Sequence, residues 1–258
     1  MTELLVRVER RGPVALVKLD RPAKRNALNR AMLTDLVRTL RECDDDPDIR
    51  AIVISGSEQA FAAGADIEAL AAANAIELYT SGFSEMWDDV AAIAKPLVAA
   101  VSGYTLGGGL ELALICDIVV ADRTAIFGMP EAGIGTIPGA GGTQRLVRAV
   151  GKSMAMEMIL AGRRITADEA LSFGLVSTVA NDGQGSEAAA FGIAERIAAA
   201  APLAVSMAKS AVLESYETTL AAGIRYERSL SALIAASDDR AEGVRAFAAK
   251  ERPVFKGK

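Results

Sequence analysis

Two glutamates stand apart from every other charge in the chain. Between Pro96 and Cys116 the only Asp, Glu, Lys or Arg is Glu111, and between Thr124 and Gln144 it is Glu131. Glycines crowd both: Gly107, Gly108 and Gly109 before the first, and Gly128, Gly133 and Gly135 around the second. A carboxylate buried without a counter-ion loses water and gains no partner, so its charged form is disfavoured. Full burial raises a carboxyl pKa by about 3–5 units, the tuning a general acid or base needs near neutrality. Two such groups in one apolar region read as an acid–base pair.

Each glutamate also has a purely structural reading. On a helix, Glu111 has Gly107, Gly108, Leu114 and Ile115 as neighbours one turn away, so no ion pair forms within that helix. It could instead be a buried carboxylate bonded to backbone or to a hydroxyl, with Tyr104 a candidate. Glu131 follows Pro130 in a glycine-rich loop, where ligands approach easily but where solvated glutamates are also common. Gly108 falls at a helix start, where backbone N–H groups lack partners. The Gly64-Ala65 turn opens a second helix. Two such amides converging form an oxyanion hole, each donor stabilising a transition state by about 2.7–4 kcal/mol. No phosphate loop of the G-x-x-x-x-G-K-[ST] type is present, and Gly139-Ala140-Gly141 lacks dinucleotide-binding spacing.

The elements that must position these groups alternate strand and helix. Leu5–Glu9 and Val14–Leu19 flank an Arg11-Gly12-Pro13 turn and predict a hairpin. Asn29 caps a helix marked by Met32, Leu33, Leu36, Val37 and Leu40, and Ile49–Ile54 is a short strand. Phe61–Asp66 reads as a small-residue loop leading to a helix start at Asp66. An alanine-rich helix over about 71–94 carries Tyr79, Phe83, Met86 and Trp87. Buried strands follow at Pro96–Val101 and Ile118–Ala121, with the Glu111 helix between them. The Gly139–Gly142 cluster begins another helix, and Thr166 to Glu169 is a capping box for one that Gly174 closes. Beyond about Asn181 the pattern is helical throughout, at roughly 187–200, 203–214, 217–236 and 239–249. The expected fold class is α/β, with a mixed core over 1–200 and a helical region over 201–258.

Composition narrows the chemistry. The 258 residues are 51% hydrophobic with mean hydropathy +0.26, enough for a large core. Net charge −5 and pI near 5.0 give no electrostatic footprint for nucleic acid. With no histidine, Ser-His-Asp, Cys-His and HExxH sites are all excluded. Cys43 and Cys116 are expected to be reduced thiols in a cytoplasmic protein. The N-terminus has no hydrophobic signal region. Pro96–Cys116 is long enough to cross a bilayer, but its glycines and glutamate fit a protein core better, so no membrane is expected.

The runs FAAGADI (Phe61–Ile67), GYTLGGGLELALICD (Gly103–Asp117) and FGMPEAGIGTIPGAGGTQRL (Phe127–Leu146) closely resemble enoyl-CoA hydratases of the crotonase superfamily. Arg21-Pro22, Asn26–Asn29, Leu160–Gly162, Gly174–Val176 and Phe255–Gly257 extend the likeness along the chain. The resemblance implies a spiral of ββα units with a C-terminal helical region that builds trimers, often paired into hexamers. It implies an oxyanion hole from the amides of Ala65 and Gly108, and catalysis by Glu111 and Glu131. Acyl-CoA contacts are implied along Ala63, Gly64, Ala65, Asp66, Ile67 and Glu68, with the adenine end near Lys24 and Arg25. Phe255 and Lys256 of a neighbouring subunit are implied to reach CoA. No metal or redox cofactor is implied, since CoA arrives with the substrate. Relatives that only shift a double bond usually keep one of the two carboxylates, so both together favour hydration. The alternatives are a Δ3-Δ2-enoyl-CoA isomerase and a non-catalytic acyl-CoA-binding oligomer. The acyl group stays open between short-chain crotonyl-CoA and the ω-carboxylated 2,3-dehydroadipyl-CoA of phenylacetate breakdown.

Overall fold

In a computed structural model, which describes residues 4–66 and 74–258, two sheets share the chain. Strands β1 (Val6–Arg11), β2 (Val14–Leu19), β3 (Ala51–Ser55), β4 (Ala60–Ala62), β5 (Leu97–Val101), β6 (Tyr104–Leu106), β7 (Ile118–Ala121), β8 (Ile126–Gly128), β9 (Arg164–Thr166) and β10 (Thr178–Val179) follow in order. The larger sheet runs β1-β2-β3-β5-β7-β10 and is parallel except for the β1–β2 hairpin. The smaller runs β4-β6-β8-β9. Strands β3, β5 and β7 each leave the large sheet and, within a few residues, continue as β4, β6 and β8 in the small one. Helices follow each pair, so the chain winds as a spiral of ββα units.

The buried strands are apolar on both faces because helices cover both. In β3 and β5, Ile52, Ile54, Leu97, Ala99 and Val101 point into the main core with Leu33, Leu36 and Leu40 of the helix Arg30–Asp45. Ala51, Val53, Val98 and Ala100 point the other way, against Ala190, Phe191, Ala194 and Ala198 of the helix Ser186–Ala198. Asn29 caps Arg30–Asp45 through Met32 N–H, and the Thr166–Glu169 capping box forms as its spacing predicts.

Two expectations change. Phe61–Asp66 is not all loop, because Ala60–Ala62 is a strand of the second sheet. The long helix over 71–94 is broken. Its described part forms Ala75–Thr80 and Glu85–Ala91, separated at Gly82, whose φ of +71° ends the first. The helix start at Asp66 falls on residues outside those described. C-terminal helices stand at Ser186–Ala198, Pro202–Glu214, Leu220–Ile234 and Asp238–Ala249, close to the ranges read from sequence. Among the described residues no single helix is long and apolar enough to cross a membrane. Cys43 and Cys116 are buried free thiols, and burial pushes both up.

The helix Gly108–Ile115 rests directly on β4. A Cβ at Gly109 would lie 2.0 Å from the Ala62 carbonyl oxygen, so only glycine permits the contact. Gly109→Ala must push the helix off the strand and should cost ~1–3 kcal/mol in denaturant unfolding. Unchanged stability would contradict this packing.

Candidate active site

Open α/β sheets place ligands beyond the C-terminal ends of their parallel strands, and both glutamates lie there. Gly107 starts the first, with φ 50° and ψ −123°, a conformation closed to side chains with a Cβ. It turns the chain from β6 into the helix Gly108–Ile115. That helix is buried nearly all round, and Glu111 in its first turn is 4% exposed.

Glu111 is held by backbone. Its Oε1 accepts from Ala140 N–H at 2.7 Å and from Gly142 N–H at 2.8 Å. Both donors sit at the start of the helical stretch Gly142–Leu160, which is kinked at Gly151 (φ +77°), so the Gly139–Gly142 cluster is the cradle of this carboxylate. Gly142 itself has no room for a side chain, since a Cβ would meet Glu111 Oε1, Met129 and Pro138, each at 2.9 Å. Tyr104 is not the partner. It is 37% exposed on β6, with the Arg25 guanidinium 5.6 Å over its ring.

Glu131 opens a 3-10 turn, Glu131–Ile134, after Pro130. It is half-buried, not a solvated loop glutamate. Its Oε2 is buried with no hydrogen-bond partner among the described residues, and its Oε1 faces Gly107, 2.7 Å from where a Cβ would stand. A buried acceptor of this kind normally finds a partner, so the orphan atom marks a place for water or ligand.

The two environments separate the carboxyls. Burial raises Glu111, opposed by the amides of Gly142 and Ala140 and by the Arg145 charge, all of which favour its ionised form. Burial pushes Glu131 up from 4.5 to about 7; a backbone hydrogen bond opposes this, and the nearby Glu111 charge adds to it. Both carboxyls are thus held above the usual carboxylate range, Glu111 with two amides favouring its ionised form and Glu131 with no such pair.

Ala65 and Gly108 lie close together. A Cβ on Gly108 would lie 3.5 Å from Ala65 N and 3.7 Å from the Trp87 ring. Leu28 N–H donates to Gly64 O at 2.8 Å and Asp66 N–H donates to Leu28 O at 2.9 Å, which ties the chain down on either side of Ala65. Among the described residues neither Ala65 N–H nor Gly108 N–H has an acceptor.

The segment Arg21–Leu28 is stitched along Ala60–Asp66. Ala63 N–H donates to Arg25 O at 3.0 Å, and Arg21 Nη1 reaches Asp66 Oδ2 at 2.7 Å and Ala27 O at 3.0 Å. The fully buried Asn26 gives its Nδ2 to the carbonyls of Ala60 and Phe61 and takes Arg21 N–H on Oδ1. Lys24, Arg25, Ala63, Gly64, Ala65 and Asp66 thus share one edge, with Arg25 and Asn26 both at positive φ. Asn26 has no role of its own in the sequence pattern. Its signal is a polar residue that has to be buried after the Arg21-Pro22 turn. Ile67 and Glu68 lie outside the described residues.

Phe255 and Lys256 are not brought to this site within one chain. Phe255 O accepts from Arg50 Nη2 at 2.8 Å, and Lys256 N–H donates to Asp239 Oδ1 at 2.6 Å. Arg50 precedes β3, so the tail docks at the opposite, N-terminal end of the parallel strands. Among the described residues no group of three or more His, Cys, Asp or Glu is placed to hold a metal ion.

The sequence profile of a family described as enoyl-CoA hydratase/isomerase matches residues 9–258. The chain is 48% identical to a probable enoyl-CoA hydratase of Rhizobium meliloti over 249 residues, 96% of each chain. It is 46% identical to 2,3-dehydroadipyl-CoA hydratase of Escherichia coli over 258 residues, 100% of each chain. Among solved structures, enoyl-CoA hydratase from Bacillus anthracis superposes with a TM-score of 0.93 at 36% identity, covering 98% of this chain and 100% of that one.

The proton on Glu131 ties stability to pH. Its folded pKa, about 7, lies above its ordinary 4.5, so folding binds the proton more tightly. The stabilisation is complete below pH 4.5 and is lost as pH rises through 7. Thermal unfolding of Glu131→Gln should therefore show a flatter fall in Tm across that window than the wild type. Equal slopes would mean that Glu131 is solvated.

Proposed function

The chain belongs to the enoyl-CoA hydratase/isomerase family, and on that premise we propose that it adds water reversibly across the 2,3-double bond of a 2-enoyl-CoA to give a 3-hydroxyacyl-CoA. The thioester oxygen enters the hole between Ala65 N–H and Gly108 N–H, where developing enolate charge is stabilised. Water stands between the carboxyls. Glu111, charged and aimed by two amides, takes its proton as oxygen attacks C3. Glu131, the protonated partner, delivers a proton to C2. The observation that carries this reading is the split in environment between the two acids, one bonded by two N–H groups and the other with an orphaned oxygen.

Both carboxyls are used in hydration, whereas a double-bond shift moves one proton between two carbons and needs no held water. The acyl-CoA runs along Ala63–Asp66 and the neighbouring residues 67 and 68, with its adenine end toward Lys24 and Arg25. Phe255 and Lys256 reach it from a neighbouring subunit, in keeping with their place at the far end of their own sheet. No cofactor beyond the substrate's CoA is called for. The core over 1–200 carries the site, and 201–258 builds a trimer or pair of trimers. In support, helices Pro202–Glu214 and Leu220–Ile234 bury none of their residues, and Leu220, Leu233 and Phe247 are exposed. A cytoplasmic setting suits the two free cysteines.

Crotonyl-CoA hydration, followed by loss of enoyl-thioester absorbance, should be readily measured. Absence of turnover across short- and medium-chain enoyl-CoAs, with and without an ω-carboxylate, would end the hydratase reading. Glu111→Gln and Glu131→Gln should each lose on the order of 10²–10⁴ in kcat while remaining folded. Wild-type rates in either would remove that residue from the mechanism. Activity should also decline as pH rises past about 7, where Glu131 gives up its proton.

A further inference from the structure

The Ala140–Gly142 turn that holds Glu111 is itself held from behind. Arg145, one turn into the helix Gly142–Leu160, donates from Nη1 to Ala140 O at 3.3 Å. The same guanidinium occupies the space over Gly141, where a Cβ would come within 2.2 Å of Nη1. Gly141, at φ +94°, in turn accepts Arg145 N–H at 2.8 Å on its carbonyl. Ala140 is therefore gripped at both ends, its oxygen by Arg145 and its N–H by Glu111. Arg145 is half-buried, and Ala140 is buried.

We infer that Arg145 is a positioning residue for the hydration step, locking the Ala140–Gly142 turn whose amides aim Glu111 and placing a fixed cation behind that carboxylate. The inference rests on the proposed reaction for its kinetic consequences but not for its geometry. The charged groups facing Glu111 are Glu131 from the 3-10 turn and Arg145 from the helix behind it. On the packed helix Glu85–Ala91, Glu85 and Asp88 are exposed, and Asp89 pairs with Arg41. Arg145 is thus the one cation facing Glu111 at this site among the described residues.

Three variants separate the effects. Arg145→Met removes both grip and charge, Arg145→Lys keeps the charge without the planar fork, and Arg145→Gln stands in if the Met variant does not fold. For Arg145→Met, kcat should fall about 10- to 100-fold with KM within about 3-fold, because ground-state binding does not use Glu111's aim. Loss of the cation raises the pH at which Glu111 ionises, so the acidic limb of kcat/KM should move to higher pH. Arg145→Lys should return that limb to the wild-type position and recover part of kcat. An unmoved limb in Arg145→Met, with or without a loss of rate, overturns the inference. Titration of the ¹³C-labelled Glu111 carboxyl, assigned by its absence in Glu111→Gln, gives the same decision without turnover. If the wild type hydrates nothing, the proposed reaction fails. A Glu111 titration that shifts in Arg145→Met still upholds the positioning role, and one that does not shift refutes it.

Discussion

Burying a carboxylate is among the most expensive things a fold can do, and the whole arrangement around Glu111 follows from meeting that cost. Two backbone amides, from Ala140 and Gly142, supply what water would have supplied. They converge on one oxygen only because Gly141 is left-handed, Gly142 has no side chain, and the next helix begins there. The helix bearing Glu111 must lie flat on β4, which Gly109 allows, and must leave β6 through a turn open only to glycine at Gly107. Gly107 and Gly142 therefore mark close approaches of backbone to a glutamate carboxylate, and Gly109 a close approach of helix to strand.

Glu131 shows the opposite solution. It receives no comparable pair of donors, stays half-buried, and burial pushes its pKa up to about 7. Two glutamates of the same chemical type are thereby given different hydrogen-bonding environments. The spiral makes this possible, because successive ββα turns deliver Ala65, Glu111 and Glu131 from three separate segments to one end of the parallel strands.

Much of this was legible in the residues themselves. The isolation of Glu111 and Glu131 from other charges is a property of the sequence, as is the glycine start of the Glu111 helix. The parallel core strands announced themselves as apolar runs, and the caps at Asn29 and Thr166 by residue type. The second sheet did not, because strands such as Ala60–Ala62 and Tyr104–Leu106 are three residues long and carry too few positions for any periodicity. The break at Gly82 was masked by the alanine-rich surroundings. Glu111's partners were invisible for a different reason: they are main-chain N–H groups about 30 residues away, and any residue type supplies those. Tyr104 is a hydroxyl close in sequence, whereas the true donors come from the Gly139–Gly142 cluster at the next helix start. Asn26, whose amide fastens one edge of the site, stands in the sequence only as part of the Asn26–Asn29 motif.

The central claim is that the amides of Ala65 and Gly108 and the two carboxyls form one site for one thioester. A crystal structure of the protein with a bound 3-hydroxyacyl-CoA tests it most directly. The thioester oxygen should lie within about 3 Å of both amide nitrogens, with the 3-hydroxyl between Glu111 and Glu131. A thioester bound with its oxygen away from both amides, or with its hydroxyl out of reach of either glutamate, would contradict the account.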